Sequence, residues 1–85
     1  MSRVVEVSMD ARRRRRHTME EIYAHADDLA PEHVRILRLS AQGFDPKGIA
    51  ADLGLPHGTA KSRLSRARNA LDRRIAFVAA RIKVT

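Results

Sequence analysis

Between residues 18 and 82 apolar positions recur at helical intervals, and the breaks in the pattern fall at prolines and glycines. Ile22, Ala26 and Leu29 share one face, which predicts a first helix over about residues 19–28. Thr18 followed by Glu21 has capping-box spacing, in which hydroxyl and carboxylate each satisfy a free backbone N–H at a helix start. Pro31 separates this helix from a second, where Val34, Ile36, Leu37 and Leu39 lead from Glu32 towards Gly43, a suitable C-terminal glycine. Asp45 then offers a side-chain acceptor and Pro46 a pre-set first-turn backbone, so a third helix is expected over residues 46–53. Ile49, Ala50 and Leu53 supply its inner face. Gly54 ends it, Leu55 and Pro56 turn the chain, and a fourth helix begins near His57. At about 100° per residue, Ala60, Leu64, Ala67, Leu71, Ile75, Val78 and Ile82 line one stripe of that helix. Ser62, Ser65, Arg66 and Asn69 face away from the stripe, with Lys61 and Arg68 on one flank and Thr59 on the other.

The expected fold is therefore all-α: a small four-helix domain, residues 18–85, in which the third and fourth helices form a helix-turn-helix. Residues 1–17 show no sustained period, and their adjacent arginines repel one another, so they read as a flexible basic arm. A chain of 85 residues is one domain and hides only roughly 60–65% of its unfolded surface. Its core is thin. Tyr23, Phe44 and Phe77 are the only aromatic side chains, which leaves packing to aliphatic residues and alanine. There is no cysteine, so neither a disulfide framework nor a thiolate metal site stages the fold. No run approaches the roughly 18 apolar residues of a membrane span, and the reading is a soluble cytoplasmic protein, nucleoid-associated if it binds DNA.

Charge sharpens this picture by its distribution. The net charge is +7, yet the seven carboxylates of residues 18–56 make the middle of the chain acidic. Residues 57–85 carry eight basic groups against Asp72 alone, and the arm adds Arg3, Arg12, Arg13, Arg14, Arg15 and Arg16. Basic residues three or four apart, such as Arg63 and Arg66, destabilise a free helix by a few tenths of a kcal/mol per pair. A polyanionic partner offsets that cost. The outward face of the fourth helix also suits a groove about 12 Å wide, because small or hydrogen-bonding residues at its centre permit approach and cations at its edges reach phosphates. The helix N-terminus adds a phosphate site of its own. The plain alternative is a solvated basic surface helix, which the lack of compensating carboxylates disfavours.

The run "LPHGTAKSRLSRARNAL" closely resembles the recognition helix of region 4 in bacterial sigma-70 family factors, especially the extracytoplasmic-function group, whose pattern is Gly-Thr-Val-Lys-Ser-Arg-Leu-x-Arg-Ala-Arg. Upstream, "LAPEHVRILRLSAQGFDPKGIAADLGL" is similar to the same domain's approach, a pattern shared with LuxR-type output domains. The likeness covers about residues 18–74, and its specific part is Gly58 to Arg68. It implies a DNA-binding transcription regulator whose recognition helix reads the promoter's minus-35 element in the major groove, with the flap of the RNA polymerase beta subunit as a second partner. Carried onto matching positions, Lys61, Ser62, Ser65 and Arg66 are base-proximal, and Pro56, Thr59, Arg63 and Arg68 contact or support the DNA backbone. Asn69 and Arg73, on the same helix, join the backbone set. The arginines at 12 to 16 read as an arm that tracks phosphates or enters a minor groove. Ala60 stands where the family usually has valine, and Gly48 where a glutamate commonly precedes Ile-Ala. Nothing corresponds to region 2, so the resemblance implies a free-standing region-4-like protein or a fragment, the unmatched arm favouring the former.

A second reading keeps the sigma-like shape as an adaptor that binds RNA polymerase or a sigma antagonist with little DNA affinity, through the acidic middle and the apolar residues around Leu29 and Leu37. "GLPHGTAKS" lacks the spacing and the preceding strand of a phosphate-binding loop. His17, His25, His33 and His57 have no metal-ligand arrangement. No catalytic set has a pocket to occupy in so small a chain, and the reading is non-enzymatic, without cofactor or metal. The fourth-helix stripe steps by threes and fours like a coiled-coil seam, which admits a homodimer. Folding of Ile75, Val78 and Ile82 back onto Ile22 and Leu29 is favoured over it, and with it a monomer, because a small domain needs every apolar contact.

Overall fold

A computed structural model describes residues 17–84, with side chains through residue 81. All regular structure among these residues is helical: α1 (Met19–His25), a 3₁₀ turn (Ala26–Asp28), α2 (Pro31–Ala41), α3 (Pro46–Leu53) and α4 (His57–Val84). Each boundary has a local chemical cause. Thr18 Oγ1 accepts from Glu21 N at 3.1 Å while Glu21 Oε1 accepts from Thr18 N at 2.8 Å, closing the capping box at the start of α1. Asp45 Oδ1 accepts from Gly48 N at 2.8 Å at the start of α3. Gly43 and Gly54 take positive φ, 107° and 67°, and past them Phe44 N donates back to Leu39 O and Leu55 N to Ala50 O. Glycine at both positions spares the Cβ clash that a left-handed residue otherwise carries.

Two details differ from the periodic reading. The first helix is α-helical only to His25 and then tightens, with Leu29 N donating to Ala26 O at 3.2 Å across the 3₁₀ turn. Pro31 does not merely separate helices; it occupies the first turn of α2, where its missing N–H is no loss.

The long α4 packs against all three other helices. Its stripe supplies Ala60, Leu64, Ala67 and Leu71 to a core that receives Ile22 from α1, Ile36 and Leu37 from α2, and Ile49 and Ala50 from α3. Ile75 packs partly against the same cluster, as the fold-back expectation requires. Val78 is half-buried, and the Ile82 side chain lies outside the described residues. Beyond Ile75 the helix continues past the core, with Ala76, Phe77, Ala79, Ala80 and Arg81 exposed.

His17 belongs to the folded domain and not to the arm, which corrects the boundary read from periodicity. Its side chain is buried, and Nε2 donates to Asp72 Oδ1 at 2.7 Å. The partner lies 55 positions along the chain, out of reach of any local pattern. Residues 1–16, including Arg12 to Arg16, lie outside the described residues.

Leu71 is fully buried, so Leu71→Ala should cost about 2–5 kcal/mol in urea unfolding. Asp72→Ala should cost about 1–3 kcal/mol in the same assay, because it strands the buried imidazole without its acceptor.

Candidate nucleic-acid interface

The connection Gly54, Leu55 and Pro56 delivers the chain from α3 into the first turn of α4, where Ala60 N donates to Pro56 O at 3.0 Å. That first turn contains no acidic residue, and Pro56 has no side-chain acceptor with which to cap it. The N–H groups and the positive end of the helix dipole are therefore uncompensated. By contrast, α1 and α2 both carry carboxylates in their first turns.

With the stripe at Ala60, Leu64 and Ala67 turned inward, the opposite side of α4 is directed outward. Lys61, Ser62, Ser65 and Arg66, the base-proximal set, are all exposed and lie on that side or at its edge. Pro56, Arg63, Asn69 and Arg73 are exposed as well, and Thr59 is half-buried. Pro56, Gly58, Thr59, Ser62, Arg63 and Arg66 together line a shallow depression of about 460 Å³. A Cβ built on Gly58 meets no atom within 4 Å, and its φ is not positive. Neither packing nor backbone conformation within the domain demands glycine there; what its absent side chain leaves is access to the outer face of the helix.

Arg68 is placed differently from the other cations. It is half-buried, and Nη2 donates to Ser40 Oγ of α2 at 3.2 Å. Ser40 is itself buried, so this contact joins α4 to α2 beside the core and makes Arg68 a support for the helix. Arg63 departs in the opposite sense: periodicity sets it near the edge of the packed stripe, yet it is exposed, on the lining of a cleft of about 530 Å³ between α2 and α4. His33 and Arg35 of α2 line this cleft together with Arg63, Arg66 and the acidic Glu32. Sequence reasoning missed both α2 residues, and no local signal marks them, since only the packing of α2 on α4 brings them alongside.

The electrostatics are one-sided. Among the described residues, Lys61, Arg63, Arg66 and Arg73 pair with no carboxylate, whereas Arg74 pairs with Asp28 at 3.2 Å and Asp72 with His17. An exposed cation without a partner loses little hydration until a ligand arrives, so these four groups are available to phosphates. No group of three or more histidine or acidic side chains among the described residues is placed to hold a metal ion, and no described helix is long and apolar enough to cross a membrane. Leu37, an apolar residue of the adaptor reading, is buried in the core, and Leu29 packs partly against it. Leu37 therefore offers no surface to a partner; the periodic pattern marked it as apolar without saying which neighbours covered it.

Two positions where the chain departs from the sigma pattern also have a structural setting. Ala60 is fully buried, in contact with the core. The Phe44 ring lies over Gly48, where an added Cβ would meet Phe44 Cδ2 at 3.3 Å. Comparison with protein-family models, with curated proteins and with solved structures returns no match.

The different settings of two neighbouring arginines are measurable. Arg68→Ala should lower stability by about 1–2 kcal/mol in urea unfolding, through lost hydrogen bonding and stem packing. Arg66→Ala, on the open face, should change it by no more than about 0.5 kcal/mol.

Proposed function

We propose that this chain is a DNA-binding transcription regulator in which α3, the three-residue connection and α4 act as a helix-turn-helix, the outward face of α4 entering the major groove. The observation that carries the reading is the composition of that face. Gly58, Ser62 and Ser65 form a low, hydrogen-bonding centre, and Lys61, Arg63, Arg66 and Arg73 stand around it with no carboxylate partner among the described residues. Serine hydroxyls, the Lys61 ammonium and the Arg66 guanidinium are donors suited to base edges, a bidentate guanidinium matching guanine O6 and N7. Arg63, Arg73 and the bare first turn of α4 are suited to phosphates on either wall. Asn69 extends the polar face one turn further on, and Arg68 holds the helix at its angle by its bond to Ser40. The likeness of residues 58–68 to sigma region 4 supports promoter DNA as the target. Contact with RNA polymerase is proposed on that likeness alone.

Binding to duplex DNA should be strongly salt-dependent. If about six phosphates are contacted, affinity falls roughly a thousandfold between about 50 and 200 mM salt; affinity that stays flat over this range in fluorescence anisotropy sinks the proposal. Selection on random duplexes supplies the preferred site. Against that site Arg66→Ala should cost about 1–3 kcal/mol of binding and relax preference at one base position. An equal loss on every sequence would assign Arg66 to phosphate instead.

A further inference from the structure

The C-terminal half of α4 carries a second surface, of different chemistry from the groove-facing one. Past the last fully buried core position, Leu71, the helix projects an apolar run in which Phe77 is 51% exposed. Between this helix and the segment that links α1 to α2 lies an open groove of about 490 Å³. Leu29, Ala30 and Ala70 form its apolar floor and Phe77 one wall. Arg73 and Arg74 line it, the Arg74 guanidinium lies 5.3 Å from the Phe77 ring centroid, and Arg81 approaches the same ring at 5.7 Å. Arg74 already holds the Asp28 carboxylate at 3.2 Å. Arg73 and Arg81 hold none among the described residues.

We propose that this groove docks an acidic protein segment bearing an apolar anchor residue. The chain itself displays the recognition chemistry on a small scale, since the dipeptide Asp28–Leu29 seats its carboxylate on Arg74 and its side chain against the core beside Phe77. A partner segment extends that row, with carboxylates on Arg73 and Arg81 and an aliphatic or aromatic side chain on Ala30, Ala70 and Phe77. Charge complementarity selects an acidic occupant, because Arg73 and Arg74 line the groove against the single carboxylate of Asp28, and Arg81 stands beside its Phe77 wall. The apolar floor selects protein, because a nucleic-acid backbone has no apolar side chain with which to fill the groove. An aromatic wall flanked by arginine is the composition from which interface anchors are drawn. This surface shares Arg73 with the backbone contacts proposed for DNA, whereas Ala70, Phe77 and Arg81 belong to it alone.

The test uses the full chain and a fluorescein-labelled peptide with aspartates and glutamates on both sides of a central Leu-Leu-Phe. A second peptide replaces those three apolar residues by serine. The first peptide should bind and shift the amide resonances of Ala70 and Phe77. Phe77→Ala and Arg81→Glu, both at exposed positions and checked for helicity by circular dichroism, should each weaken it by about tenfold or more. Arg66→Ala should leave peptide affinity within about twofold, and Phe77→Ala should leave DNA affinity within the same bound. No binding of the first peptide, equal binding of the serine peptide, or full affinity in Phe77→Ala would each overturn the proposal. Unlabelled duplex that by itself shifts the amide resonances of Ala70 and Phe77 would overturn it as well, and would reassign the groove to nucleic acid. Failure of the DNA proposal alone appears as a flat salt response with the peptide results intact.

Discussion

The burial of one stripe of α4 is the constraint on which the rest of the molecule depends. Among the described side chains of that helix, Ala60, Leu64, Ala67 and Leu71 are the ones in the buried core, and they meet side chains from each of the three shorter helices. Two of the four are alanines with no exposed surface. Small residues there bring α2 and α3 close to the α4 backbone, and in a domain with a thin core that proximity supplies much of the available packing. None of the three short helices, at 7, 11 and 8 residues, reaches the length at which a helix is stable alone in water, roughly 12–15 residues. Their caps set where they begin and end; their attachment to α4 makes them persist.

Because the stripe fixes the rotation of α4 about its axis, it also fixes what the opposite side presents. Turning Leu64 inward turns Ser62, Ser65, Arg66 and Asn69 outward. The packing that stabilises the domain and the face offered to a ligand are thus one decision about one helix, and a core change that rotated α4 would misalign both. The bond from Arg68 to Ser40 belongs with the stripe in this respect, since it pins the flank of α4 to α2 beside the core. It is a basic residue used inwardly, within a segment whose other basic residues are mostly left for solvent or a partner.

Charge is handled differently along the length of α4. Near its N-terminus the exposed cations Lys61, Arg63 and Arg66 form no ion pair among the described residues, and the helix dipole adds to their field. Further along, Asp72 ties His17 to the helix and Asp28 ties Arg74 to the 3₁₀ turn. These contacts attach the start of the domain and the α1–α2 connection to the same helix, and the Asp28–Arg74 pair borders the surface around Phe77. The acidic middle of the chain is therefore not simply a counterweight to its basic ends: Asp28 meets Arg74, while Glu21 and Asp45 serve their own helix starts.

Much of the architecture was legible in the residues alone, because its signals are local. The spacing of Thr18 and Glu21, the Asp45–Pro46 pair, and the glycines at 43 and 54 act over a few residues, and the apolar stripe of α4 obeys the helix repeat. The outward placement of Ser62, Ser65 and Arg66 follows from the same repeat. What periodicity left open depends on contacts between segments far apart in the chain. It could not show that His17 is buried against Asp72, that Arg68 turns to Ser40, or that Arg63 is exposed on the cleft between α2 and α4. Nor could it bring His33 and Arg35 to that cleft, or set Leu29 opposite Phe77. The physical reason is one of range: hydrogen bonds within a turn and the helical repeat are encoded by near neighbours, whereas the neighbours of a side chain across the core depend on how separate helices pack, which no single helix specifies.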